Sequence, residues 1–226
     1  MPNSPRIIGC SASLRNARDR DGSKRLIEQI TQLKDQTDLF SFLSDQGNLH
    51  LDRFFQAGRE KGVPYDQLYK ELRSMGGKEG LSNSEVCLTA ALWGAHTQGA
   101  EVDHVPLYDY FTVDGERRET NELRETLLSA DGLLISTPVY FGDRSSLAQA
   151  LVDFIHGDPE LRAHLAGKIY GGLTVGAKRN GGQETSLIYM LHDMLELGMV
   201  GVGNDYETTS QYGGTGHAGD VGMMPK

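Results

Sequence analysis

The chain has 226 residues, room for one large domain or for one domain carrying an insertion. Its 38% hydrophobic and 23% charged residues match a water-soluble globular protein, and no run is apolar and long enough to span a bilayer, so no membrane partner is expected. A net charge of −9 disfavours a nucleic-acid partner and still permits a local cationic pocket.

The N-terminal MPNSPR leads straight into Arg6-Ile7-Ile8-Gly9-Cys10, which reads as a first short strand. That leaves no secretory signal and points to the cytoplasm. The two cysteines, Cys10 and Cys87, are too few for a disulfide framework or, within one chain, for an iron–sulfur cluster. Both are expected to be small buried thiols in a reducing compartment. The strand spills into Ser11-Ala12-Ser13-Leu14-Arg15. Hydroxyls, loop N–H groups and a guanidinium so placed suit an anion.

Residues 16–81 then break the rhythm, because a direct strand-to-helix connection takes only a few residues. The segment carries helical patterns at Lys24–Ile30 and Asp66–Leu72, and aromatics at Phe40, Phe42, Phe54, Phe55, Tyr65 and Tyr69. A linker would lack so many aromatics, so this is a helical insertion.

Helix and strand alternate from there on. Ser84 to Gln98 has apolar residues at helical spacing behind the N-cap types Ser82, Asn83 and Ser84. Glu101–Pro106 suits a strand near an edge. Helices follow at Glu119–Leu128, Ser145–Ile155 and Glu184–Leu197. The short apolar runs Gly132–Ser136, Ile169–Val175 and Met199–Val202 read as strands covered on both faces. The alternation predicts a single α/β domain over 1–226 with an open, doubly wound, mostly parallel sheet, ending in a glycine-rich tail at 204–226.

In such folds ligands sit outside the carboxyl ends of the strands. After the first strand, Ser11, Ser13 and Arg15 form half of an anion site. The other half is a helix N-terminus, where free N–H groups and the helix dipole favour negative charge. Ser82, Asn83 and Ser84 are its expected donors, because their helix leads into the next strand; Ser23 is the rival. The site lacks the G-x-G-x-x-G of dinucleotide loops and the G-K-[ST] of P-loops. After the third strand comes Thr137-Pro138-Val139-Tyr140-Phe141-Gly142. Its proline is expected to end the strand, and its two aromatics suit a flat ring system, with one of them in the core. After the fourth comes Gly176-Ala177-Lys178-Arg179-Asn180-Gly181-Gly182-Gln183-Glu184, where paired glycines allow close approach of a ligand.

Scattered histidines without ligand spacing predict no metal, and no G-x-S-x-G is present. Trp93, Met190, Met194 and Met199 read as core.

The pieces GCSASLR, SNSEVCLTAALWGAHTQGAEVDHVPL, DGLLISTPVYFGDRSSLAQALVDF and GKIYGGLTVGAKRNGGQETSLIYMLHDMLELGMVGVG together resemble the NAD(P)H-dependent flavin reductases of flavodoxin-like fold, the group that includes iron–sulfur flavoproteins and small quinone reductases. The resemblance implies a five-stranded sheet of order 2-1-3-4-5 and FMN as cofactor. Ser11, Ser13, Arg15 and Ser82, Asn83 and Ser84 would hold its phosphate. Pro138, Val139, Tyr140, Phe141 and Gly142 would line the isoalloxazine. Gly176, Arg179, Gly181, Gly182, Gln183 and Glu184 would complete the other side. The tail SQYGGTGHAGDVG resembles the family's last loop, where Tyr212 and Gly213 would approach the ring, on a neighbouring subunit if the protein is a homodimer or homotetramer. The implied activity is electron transfer from NAD(P)H to a small acceptor such as a quinone or free flavin. A flavodoxin-type electron carrier is the alternative. The chain stops at Lys226, where the family has one more helix, so the insertion or a partner subunit is expected to cover that helix's sheet face.

Overall fold

Short glycine-flanked apolar runs have too few residues to bury themselves as helices, and pair side by side instead. In a computed structural model, which describes residues 4–14, 19–62, 80–203 and 212–217 and their side chains except at 51–61, they form one seven-stranded sheet. The elements run β1 (Arg6–Ser11), α1 (Arg20–Ile30), α2 (Gln36–Lys61), α3 (Asn83–Thr97), β2 (Glu101–Pro106), a 3-10 turn (Leu107–Asp109), α4 (Asn121–Leu128) and β3 (Gly132–Tyr140). They continue β4 (Asp143–Arg144), α5 (Ser146–Gly157), α6 (Pro159–Leu165), β5 (Ile169–Gly176), α7 (Gln183–Glu196), β6 (Val200–Gly201) and β7 (Gly214–His217).

The sheet order is β2-β1-β3-β5-β6, all parallel, with β4 antiparallel to β3 and β7 parallel to β5. The class is the expected doubly wound flavodoxin-like one, but the strands among the described residues number seven, not five. The expected last strand is reduced to Val200–Gly201 beside Ile169 and Tyr170, and β7 takes the same edge further along, beside Leu173 to Gly176. β3 also outruns expectation, passing through Pro138 to Tyr140. Pro138 is tolerated because the β1–β3 ladder has ended at Ser11 and Ser136. Beyond that point β5 pairs with the strand at Thr137 and Pro138 and β4 at Val139 and Tyr140, so no β1 carbonyl asks Pro138 for an N–H.

Two apolar clusters cover the two faces. Ile8, Cys10, Leu133, Ile135 and Tyr170 pack against Leu123 and Leu127 of α4, Leu147, Leu151 and Ile155 of α5, and Leu187, Met190 and Met194 of α7. On the other face, Ile7, Val102, Leu134 and Leu173 meet Leu88 and Leu92 of α3 with Leu26 and Ile30 of α1. Gly9 lets α3 lie close: a Cβ there would stand 2.8 Å from a Leu92 methyl. Phe42 and Leu43 of α2 pack in the same cluster, while Phe40 is exposed. The helices of the insertion thus cover part of this face, as expected. Toward the β5–β6 edge Ile169, Val200 and Val202 stay about half exposed. The expected helix at Asp66–Leu72 lies outside the described residues. Trp93 is half-buried against this cluster, and Met190, Met194 and Met199 are buried.

Tyr170 is 1% exposed, and its hydroxyl has no hydrogen-bond partner among the described residues. Burial pushes that hydroxyl's pKa up, which Asp193 reinforces and Arg144 opposes. An unsatisfied buried hydroxyl costs about 1–3 kcal/mol. Tyr170→Phe removes it without changing the ring's shape. The variant is expected to melt about 2–4 °C above the parent by calorimetry; an equal or lower melting temperature would show that the hydroxyl is satisfied in solution.

Candidate functional site

The sheet reverses its winding between β1 and β3, so the loops that leave these two strands diverge and open a crevice at their carboxyl ends. Buried hydroxyls line one half of it. Ser11 and Ser13 are each 3% exposed, Ser82 4% and Ser84 3%. Ser136 on β3 joins the two short stretches that carry them. Its carbonyl accepts the Ala12 N–H at 2.8 Å, and its Oγ donates to the Ser84 carbonyl at 2.7 Å. Ser145, ahead of α5, adds a third tie, with its Oγ donating to the Ala12 carbonyl at 2.8 Å and its N–H to Thr137 Oγ1 at 2.9 Å.

The first turn of α3 therefore closes on the loop after β1, bringing Ser11, Ser13, Ser82, Asn83 and Ser84 together. Asn83 is exposed at the helix tip. The rival Ser23 is buried in α1, with its Oγ 3.0 Å from His104 Nδ1. Arg15 lies outside the described residues. Hydroxyl O–H donors and the N-terminal N–H groups of a fifteen-residue helix are the groups that suit a dianion.

The other half is built from glycine turns. β3 ends in the hairpin Phe141-Gly142, which leads back into β4, and both residues have positive φ, 54° and 86°. Tyr140 is half-buried, and Phe141 projects fully into solvent. Neither joins the core, contrary to the expectation for one of them, because the strand carries them past the last helix that could cover them. Pro138 and Val139 are half-buried below. Arg144 of β4 pairs with Asp193 of α7 and pins the hairpin.

Gly182 has φ 108°, and a Cβ there would stand 2.6 Å from the Gly142 carbonyl oxygen. The two turns touch, and only glycine permits it. Gln183 organises the rest. Its Nε2 donates to the Lys178 carbonyl at 2.7 Å and the Gly216 carbonyl at 3.2 Å, and its Oε1 accepts the Gly181 N–H at 2.7 Å. That amide shapes the 178–181 turn and ties it to β7, so Gln183 faces the loop. Its packing against Gly176 leaves no room for a Cβ on that residue. Arg179 and Glu184 are exposed on the turn and the first turn of α7. Tyr212 and Gly213 precede β7, and Gly213 lies against Gly172 of the same chain. β7 runs parallel to β5 with His217 beside Gly176, so Tyr212 and Gly213 lie in the same chain below the rim, contrary to the expectation that they approach the ring, and the end of β7 is what reaches it.

Ser136, Thr137 and Ser145, which make these ties, are not among the donors expected from the sequence. Their only signal is a run of hydroxyl residues flanking the strand end. Beneath the site, burial and then the Asp103 charge push the Cys10 thiol up to about 12, so it is inert. Cys87 is only half-buried and packs beside Gly216. Among the described residues no three His, Cys, Asp or Glu side chains converge as metal ligands.

A doubly wound sheet with a hydroxyl-lined anion loop after its first strand and an aromatic hairpin after its third defines a mononucleotide-binding α/β protein. The sequence profile of NADPH-dependent FMN reductases matches residues 75–213, and the chain belongs to that family. An iron–sulfur flavoprotein of Methanocaldococcus jannaschii is 35% identical over 113 residues, 47% of this chain and 52% of that protein. An NAD(P)H dehydrogenase (quinone) of Caulobacter vibrioides is 33% identical over 147 residues, 61% of this chain and 68% of that one. Among solved structures, a flavodoxin, WrbA-like protein from Agrobacterium tumefaciens aligns over 88% of this chain and 77% of its own with 14% identity and a TM-score of 0.41. Family membership implies FMN as cofactor and NAD(P)H as electron donor. The residues present fit that group: buried hydroxyls gather at the helix N-terminus at one end, and Tyr140 and Phe141 lead into touching glycine turns at the other.

Gly182→Ala forces the 142 and 182 turns apart and places a side chain at φ 108°. FMN affinity is expected to fall at least tenfold, read by flavin fluorescence quenching, with the fold preserved by circular dichroism; unchanged affinity would separate this contact from the site.

Burial, aided by Asp19 and opposed by Arg118 and Arg20, lifts Asp109 from 3.8 to about 6. The folded chain therefore holds this proton more tightly than the unfolded one. The resulting stabilisation is complete below about pH 4 and is lost as pH rises through about 6. Asp109→Asn is expected to gain about 1 kcal/mol over the parent at pH 8, after allowance for solvent screening, and nothing at pH 4. Melting temperatures at the two pH values check this.

Proposed function

We propose that the protein is an FMN-dependent oxidoreductase that passes electrons from NAD(P)H to a small acceptor such as a quinone or free flavin. The observation that carries this reading is the two-part rim: a buried hydroxyl cluster at the α3 N-terminus, joined through Ser136 and β3 to an aromatic hairpin that touches the Gly182 turn. FMN, when bound, supplies hydride acceptance and electron release, and the chain supplies binding and orientation. Ser11, Ser13, Asn83 and Ser84 would donate to its phosphate, with Ser82, whose N–H and Oγ–H both go to Glu85, setting the turn and Arg15 as an added cation. Pro138 to Gly142 present carbonyls, N–H groups and two aromatic rings toward the flat part. The 176–184 turn, which Gln183 ties to β7, would close the opposite side.

No helix among the described residues is long and apolar enough to cross a membrane. A cytoplasmic location and assembly into a homodimer or homotetramer complete the reading; the half-exposed Ile169, Val200 and Val202 favour self-association.

The purified protein, incubated with FMN and desalted, is expected to keep a flavin spectrum that bleaches anaerobically on addition of NADPH or NADH, and to regain it when a quinone is added. A retained flavin that neither nicotinamide bleaches would replace the reductase with an electron carrier. A colourless protein would remove the cofactor from the reading altogether.

A further inference from the structure

A chain of buried polar side chains runs below the anion half of the site, and the proposed function leaves it without a role. His104 on β2 and Glu85 on α3 are both 0% exposed, and Ser23 on α1 is 1% exposed. His104 Nδ1 lies 3.0 Å from Ser23 Oγ, and its Nε2 lies 3.8 Å from Glu85 Oε1. Glu85 Oε2 accepts both the N–H of Ser82 at 3.0 Å and its Oγ–H at 2.8 Å. His104 sits in register with Gly9, the position over which α3 packs. Three elements far apart in sequence thus converge on the residue that opens α3.

A carboxylate held out of water is costly unless it is paired and hydrogen-bonded. An ordinary capping glutamate meets its N-cap at the surface, where water shares the charge. Here the carboxyl group lies buried in the first turn of α3 and meets the residue that caps it. The arrangement has a specific geometric effect. Glu85 takes both donors of Ser82. The first intrahelical bond of this turn runs from the Val86 N–H to the Ser82 carbonyl at 2.9 Å, so the N–H groups of Asn83 and Ser84 precede it and remain for a ligand. The direction of these two N–H groups depends on where the Glu85 carboxylate is held, and that depends on His104.

We propose that His104 and Glu85 are positioning residues for the phosphate half of the site, and that Ser23 makes α1 of the insertion part of the same apparatus. His104 is fixed by Ser23 and faces the Glu85 carboxylate. Glu85 fixes Ser82, and with it the orientation of the first turn of α3. Leu81 reinforces the link: its side chain is buried against Leu26 and Ile30 of α1, and its N–H donates to the Gln46 carbonyl of α2 at 3.1 Å. The insertion then acts on phosphate recognition and leaves the ring half untouched.

This inference rests on the FMN reading, and riboflavin, which lacks the phosphate, separates the two. Dissociation constants for FMN and riboflavin are measured by fluorescence quenching on the parent and on His104→Ala, His104→Gln, Glu85→Gln and Ser23→Ala, with a melting temperature for each. In the parent, FMN is expected to bind more tightly than riboflavin. His104→Ala and Glu85→Gln are expected to shrink that preference about tenfold while riboflavin affinity holds. His104→Gln, whose amide reaches the Nε2 position, restores most of it, and Ser23→Ala shows a smaller loss of the same kind. A preference that survives Glu85→Gln and Ser23→Ala, or FMN and riboflavin affinities that fall together, would overturn the positioning role. A parent that binds neither flavin overturns the functional reading itself.

Discussion

Everything at the rim depends on closing one long loop. The two stretches that make the anion half, Ser11–Ser13 and Ser82–Ser84, are separated by the whole of α1 and α2. Bringing the ends of a flexible segment of that length together costs about 4 kcal/mol in chain entropy. The two hydrogen bonds through Ser136 return about 1 kcal/mol each, too little alone. The rest comes from the insertion's own burial: Leu26, Ile30 and Leu81 are fully buried, each worth about 1.5–3 kcal/mol. The insertion is therefore tolerated because its helices dock on the sheet face beside α3.

That docking explains how much could be read from the residues. The strands at 6–11, 101–106, 132–140 and 169–176 and the helices at 83–97, 121–128, 146–157 and 183–196 are legible because their patterns are local. Apolar runs bounded by glycine and amphipathic runs behind N-cap residues report on short-range preferences. The loops that end these elements are legible for the same reason, since a ligand rim in this class follows from strand direction. The break at Pro138 was misplaced because the end of a strand depends on its neighbour: β1 stops at Ser11, and a proline past that point breaks no ladder. The shared edge of β6 and β7 was also hidden. The four residues Gly214–His217 carry no strand pattern, yet they pair with β5, and Gln183 holds Gly216 from the side.

Polar partners were the least legible. His104 reads as one alternating residue of an edge strand, and Glu85 as a helix-surface acid. Their burial arises from α3 packing over Gly9 and α1 packing beside β2, neither of which a pattern of residue types contains. Ser136 and Ser145 are similar, because a hydroxyl near a strand end becomes a tie only when a specific carbonyl lies opposite.

The two halves of the rim are built on opposite physical terms. The anion half is buried, cross-linked by hydroxyl-to-carbonyl bonds and backed by a packed face. The ring half is built on left-handed backbone: Phe141 and Asn180 have φ of 54° and 58°, and Gly142 and Gly182 have 86° and 108°. A side-chain-bearing residue in that region costs on the order of 1 kcal/mol or more, and persists only where its surroundings impose it. The Arg144–Asp193 pair and the Gln183 amide impose it here. A compact dianion needs fixed donors converging on one point, whereas a flat ring visited in turn by a nicotinamide and an acceptor needs one side closed and the other open. Phe141, fully exposed beside the Gly142–Gly182 contact, is left uncovered on that half.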